Sequence, residues 1–244
     1  MSRKKWVIAS LVVLGVVFCL LVPCAVEVRD GEGWVRSAFS LQMVGHGLRA
    51  YHDAHGQLPP AVVRDREGRP LYSWRVLLLP YLEEDELYGR FKLDEPWDSP
   101  HNKLLALKTP RCYVPALGGE DDPGLTRYQV FVGPGTAFER PGLTWADFPD
   151  DRGGTILVAE AGEPVPWSKP ADLPYEPDRP LPVIEGPYSK PVHLLCYEVG
   201  RKPGFVVCLG NGTTHFLSTP VDEKLMRGLI SRNGGEVVDI SELE

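Results

Sequence analysis

Positive charge is in short supply: 26 Lys and Arg face 33 Asp and Glu over 244 residues, a net charge of -7. Three of the basic residues stand together as Arg3-Lys4-Lys5, so the remainder is more acidic still. A chain this poor in cations has little with which to neutralise a phosphate backbone, which argues against nucleic acid as a partner. Cysteine is also scarce, five in all, with no CxxC pair and no Cys/His spacing that would hold zinc. No GxSxG, no P-loop, no GxGxxG after a strand and no HExxH occurs, so the common nucleophile, phosphate and zinc devices are missing. Long regular elements are disfavoured too, because 25 Gly and 24 Pro make up about a fifth of the chain and each proline withdraws a backbone donor. With 43% hydrophobic residues the chain can still bury an ordinary core.

What is present begins with topology. From Trp6 to Val26 no residue is charged, and about 20 apolar residues rising 1.5 Å each span the roughly 30 Å hydrocarbon core of a bilayer. The basic triplet precedes this run and Glu27, Arg29, Asp30 and Glu32 follow it. The positive-inside rule therefore places the amino terminus in the cytoplasm. The expected organisation is a stub and transmembrane anchor over 1–28 and an extracytoplasmic domain over 29–244. Two cleaved forms compete with the anchor: a signal peptide, for which Pro23-Cys24-Ala25 is a poor site, and a lipoprotein acylated at Cys24, which lacks the usual small residues before it. Cys19 and Cys24 fall in the run. Cys196 and Cys208 lie in apolar runs resembling neighbouring strands, and two readings stand for them: a disulfide that leaves Cys112 over, or burial of all three thiols.

After the anchor, Val35, Phe39, Val44, Leu48 and Tyr51 recur at spacings of three to five, predicting an amphipathic helix over about 34–55 that Gly56 and Pro59-Pro60 end. Ser73 to Tyr88 reads as helix restarting at Pro80. Ser99 suits an N-cap with Pro100 at the first helical position. From Pro110 the pattern turns to β, with short runs at 111–114, 128–132, 155–159, 192–199, 205–209 and 213–217. Gly210-Asn211-Gly212 predicts a tight turn joining the last two as a hairpin. The proline-rich stretch 161–190 reads as a long ordered loop, and a closing helix is expected over about 221–232. The class is α+β: an amino-terminal transmembrane helix, then an amphipathic helix on a small antiparallel sheet with long loops.

Several clusters invite chemistry. Asp94, Glu95 and Asp98 offer oxygens to a hard cation such as calcium, against a reading as helix capping; no other cofactor is suggested. His46, His52 and His55 with Asp53 share a helix, without a metal-protease order. Trp97, Trp145 and Trp167, in loop-like settings beside acids, would form an interaction surface for sugars or proteins, or else cover the core beneath the loops. Glu160 and Glu163 near Trp167 would be a hydrolase-like carboxylate pair, or hydrogen-bonding groups at a strand end.

Three stretches carry a resemblance: Leu48-Arg49-Ala50-Tyr51-His52-Asp53-Ala54-His55-Gly56-Gln57-Leu58-Pro59-Pro60-Ala61, Ser73-Trp74-Arg75-Val76-Leu77-Leu78-Leu79-Pro80-Tyr81-Leu82-Glu83, and Glu95-Pro96-Trp97-Asp98-Ser99-Pro100-His101-Asn102. Together with Thr155 to Pro170 and Arg232 to Glu236, they make the chain similar to the planctomycete pseudopilin-like family of domain of unknown function 1559 over roughly residues 36–240. That resemblance implies a pilin-like fold and a cell-envelope or secretion-associated protein acting through self-association or other envelope proteins. It implies no reaction, so the chain is not expected to be an enzyme; a calcium- or glycan-binding module is the alternative. Two departures are plain. The start at Lys4-Lys5-Trp6 has neither the glycine nor the glutamate of a prepilin signal. The family's carboxy-terminal H-x9-DG signature falls on Arg201, Asn211 and Gly212, where only the turn-forming role survives.

Overall fold

The computed structural model describes residues 33–116, 123–149, 152–182, 184, 188–194 and 197–235. The expected anchor at 6–26 lies outside the described residues. No helix among those described is long and apolar enough to cross a membrane.

Among the described residues helix α1 runs over 33–55, and it ends as expected, where Gly56 adopts a φ of 70° and its N–H bonds back to the His52 carbonyl (2.7 Å). A hairpin of β1 (Val62–Arg64) and β2 (Pro70–Ser73) follows. The run Ser73 to Tyr88 is three pieces rather than one restarted helix: α2 (Trp74–Leu77), a 3-10 turn at Leu79–Tyr81, and α3 (Asp85–Arg90). Pro80 brings no donor, and the N–H groups of Leu82 and Glu84 both turn back to the Leu79 carbonyl, closing the chain on itself. Helix α4 (Pro100–Ala106) starts as expected, with the Ser99 hydroxyl accepting from the Asn102 N–H. Residues 111–114, expected as a strand, form a 3-10 turn at Arg111–Tyr113, because the Tyr113 N–H bonds to the Pro110 carbonyl (2.9 Å) and the Tyr113 ring is fully buried.

The main sheet contains β3 (Leu125–Gln129), β5 (Ile156–Pro166), β7 (Tyr188–Leu194), β8 (Tyr197–Leu209) and β9 (Thr214–Ser218), every pairing antiparallel, in the order β3-β5-β8-β7 with β9 also on β8. Between them, β4 (Phe131–Val132) and β6 (Leu173–Pro174) pair in parallel. Part of the expected loop 161–190 is therefore strand. The predicted hairpin is present, turned by Gly210-Asn211-Gly212 with Gly212 at φ 89°. The expected strand 192–199 instead falls into β7 and β8, paired back to back. Tyr197 and Cys208 stand at opposite ends of β8 and the Cys208 thiol is free and buried, which sets aside the disulfide reading; Cys196 lies outside the described residues.

Alternation along β8 builds two cores. Val206 and Cys208 point to one face, where they meet α1, and Phe205, Val207 and Leu209 to the other, where they meet Met226, Leu229 and Ile230 of the closing helix α5 (Glu223–Ile230). The α+β class with an antiparallel sheet is thus as expected, with the sheet covered on both faces.

Candidate functional site

Helix α1 carries two apolar stripes. One, Leu41, Val44, Leu48 and Tyr51, is buried against the sheet. It is anchored by the edge-on Trp34–Phe216 pair (5.9 Å), by the Arg49 guanidinium donating to the Asn211 carbonyl (2.9 Å), and by a buried polar cluster. In that cluster the Ser37 hydroxyl bonds to Glu160 Oε1 and to the Tyr128 hydroxyl, each at 3.0 Å. Burial and the nearby Glu160 raise the Tyr128 pKa, so the phenol stays protonated and able to donate.

The second stripe is Val35, Phe39 and Met43 at i, i+4, i+8, with 50%, 64% and 39% of their surface exposed. Two of these, Val35 and Phe39, were expected on the buried face. The correction comes from the step of five between Phe39 and Val44, which turns the helix by about 140° and sets Val35, Phe39 and Met43 almost opposite the buried stripe. Beside this stripe runs an open groove of about 670 Å³ along Val35, Arg36 and Phe39, against Val114, Pro115 and Ala116. It continues as about 410 Å³ past Met43, against Leu82, Glu83, Glu84 and Cys112. Phe39, Ser40 and Arg111 line both parts, so the two form one trough. Arg36 is held at its rim by donating to the Ala116 carbonyl (2.8 Å). Burial, reinforced by Glu84, pushes the Cys112 thiol up to about 12, which leaves it a protonated wall group rather than a nucleophile. The trough is suited to burying an apolar surface flanked by charge.

The sequence-expected sites are arranged differently. Asp94, Glu95 and Asp98 share a loop, but Glu95 accepts from Lys92 Nζ (2.9 Å), and bonds from Lys92 and Ser99 hold its carboxyl below the usual range. The carbonyls of Lys92, Glu95 and Pro96 converge on Asn102 Nδ2 at 2.9, 3.2 and 3.1 Å, while Asn102 Oδ1 accepts from the Lys92 N–H. A buried amide nitrogen thus stands where those carbonyls meet. Among the described residues no three His, Cys, Asp or Glu are grouped to hold a metal. We expect Asn102→Leu to cost about 2 kcal/mol, because carbonyls lose their donor. Urea unfolding with calcium or with a chelator should give the same midpoint; a rise with calcium would show that the loop takes up the cation.

Of the three tryptophans, Trp167 is corrected: it is 0% exposed, donates to the Ala106 carbonyl (2.9 Å) and stacks on Tyr113. Trp97 is half-buried under Lys169 Nζ, and Trp145 is half-buried between His52, Phe148 and Arg152. The three do not share a surface with the trough. His55 stacks on Tyr51 at 4.0 Å, and His46 is exposed. Glu160 is buried under α1, whereas Glu163 is exposed on the same strand, so the two carboxylates are not brought together. Asn211 Oδ1 caps its own turn by accepting from the Thr213 N–H and hydroxyl (2.9 and 2.8 Å). Arg201 sits in β8 opposite Pro191, away from the turn in register.

A family model described as "Protein of unknown function (DUF1559)" matches residues 40–165. No curated protein and no solved structure matches the chain.

Proposed function

We propose, from the premise that this chain belongs to the family of proteins of unknown function DUF1559, that it is a pseudopilin-like envelope protein. In this reading residues 6–26 anchor it in the membrane, its body is extracytoplasmic, and it acts by protein contact rather than catalysis. The observation that carries the reading is the exposed Val35-Phe39-Met43 stripe beside an open trough. Large apolar side chains left uncovered in a row mark interaction surfaces more often than chance exposure does. The position of the stripe adds support, since Val35 stands nine residues after Val26, where the uncharged run ends. A surface there is presented next to the membrane, where other envelope proteins are concentrated.

The test is fractionation of cells making the full chain. The protein should stay with membranes through alkaline carbonate washing, and protease added from outside should digest everything beyond about residue 29. Deleting residues 1–28 should release it to the soluble fraction. A full-length chain with its own amino terminus that is found soluble would sink the anchored reading.

A further inference from the structure

The trough has a polarity. Arg36 marks the end nearest residue 33, while Glu83 and Glu84 mark the end beside Met43, with Phe39 and Arg111, which line both parts, between them. Arg36 and Met43 are about 10 Å apart along the helix. Among the described residues, no ion pair engages Glu83, Glu84 or Arg111. Glu83 is also the one non-glycine residue described with a positive φ, 59°. That conformation costs a β-carbon-bearing residue about 1–2 kcal/mol, and it sets an unpaired carboxylate on the rim of an apolar trough.

We infer that the occupant of this trough is a second copy of the same chain, the two α1 helices crossing antiparallel about a two-fold axis near Phe39. The inference rests on the interaction reading above and names its partner. Under the two-fold, each Phe39 enters the other copy's trough and each Arg36 meets the other copy's Glu83 and Glu84. A parallel pairing would set Arg36 against Arg36 and acid against acid, so charge selects the antiparallel form.

Charge exchange tests this on the full-length chain in detergent or nanodiscs. Arg36→Glu alone and Glu83→Arg/Glu84→Arg alone should each weaken self-association by about tenfold or more in sedimentation. Mixing the two variants should restore pairing as a heterodimer, because residue 36 of each copy then faces the opposite sign at positions 83 and 84 of the other. A photoreactive benzoylphenylalanine at position 39 of the otherwise native chain should crosslink to residues 35–43 or 82–84 of its partner, and this readout does not depend on the charge variants folding. A monomeric wild-type chain, a mixture that fails to pair, or crosslinks confined to other proteins would each overturn the inference. A chain that fractionates with membranes yet is monomeric would overturn the pairing alone and leave the anchored reading standing.

Discussion

Arg75→Ala is expected to lose about 3–5 kcal/mol of stability, enough to unfold many domains of this size. Arg75 is fully buried at the start of α2, with Nη2 on Asp172 Oδ1 (2.7 Å), Nε on the Tyr128 carbonyl (2.8 Å) and Nη1 on the Ser73 hydroxyl (2.7 Å). Asp172 also accepts from Trp74 Nε1 (3.2 Å) and the Val130 N–H (3.1 Å), so this pair ties α2 to β3 and to the segment before β6. Removing the cation strands a carboxylate in the interior. Burial already pushes the Asp172 pKa upward against the pull of Arg75, and without that pull the carboxyl is held protonated in the folded variant. The sign follows: the folded variant then binds a proton that the unfolded chain gives up, so its deficit grows as pH rises above the ordinary carboxylate range and shrinks below it. Urea titrations of wild type and variant at acid and neutral pH measure this. Arg75→Met with Asp172→Leu should be more stable than either single change, because no charge is left unpaired. A single variant within 1 kcal/mol of wild type would show that the pair is not needed.

Gly45→Val is the second large expected loss, about 3 kcal/mol. Gly45 sits where α1 meets β8, and a β-carbon there would stand 2.5 Å from Cys208 Sγ. Overpacking of a filled core costs about 1–3 kcal/mol, and valine sits at the upper end because it adds two further carbons. Gly45→Ala should cost less, since alanine regains about 1 kcal/mol of helix propensity over glycine. Combining it with Cys208→Ala, which removes the obstructing sulfur, should bring stability back close to that of Cys208→Ala alone. A thermodynamic cycle in which the two changes simply add would show that α1 does not seat on Cys208.

Much of the fold was legible where one residue type has one local job. Gly56 ending α1, Ser99 and Pro100 opening α4, and Gly210-Asn211-Gly212 turning the last hairpin all act through backbone geometry within a few residues, and each is found in place. What failed depends on distant partners. Residues 111–114 have strand-like composition, but burial of the Tyr113 ring against Trp74 and Trp167 decides for a turn. Trp167 looked available because prolines surround it, yet Ala106, sixty-one positions away, takes its N–H. At the acidic loop 94–98 the sequence likewise does not show that Asn102 Nδ2 is the donor to the carbonyls of Lys92, Glu95 and Pro96. The trough was hidden for a different reason: Val35 and Phe39 continue into the buried positions at spacings of three to five, and only the step of five from Phe39 to Val44, about 140° of turn, shows that they lie on the other side of the helix.

The seating of α1 has a mechanical meaning. Along α1, Trp34 meets Phe216 of β9, Ser37 meets Tyr128 of β3 and Glu160 of β5, Gly45 lies against Cys208 of β8, and Arg49 bonds to Asn211 in the turn. Tension applied at residue 33 is therefore passed to four strands and a turn rather than to one neighbour.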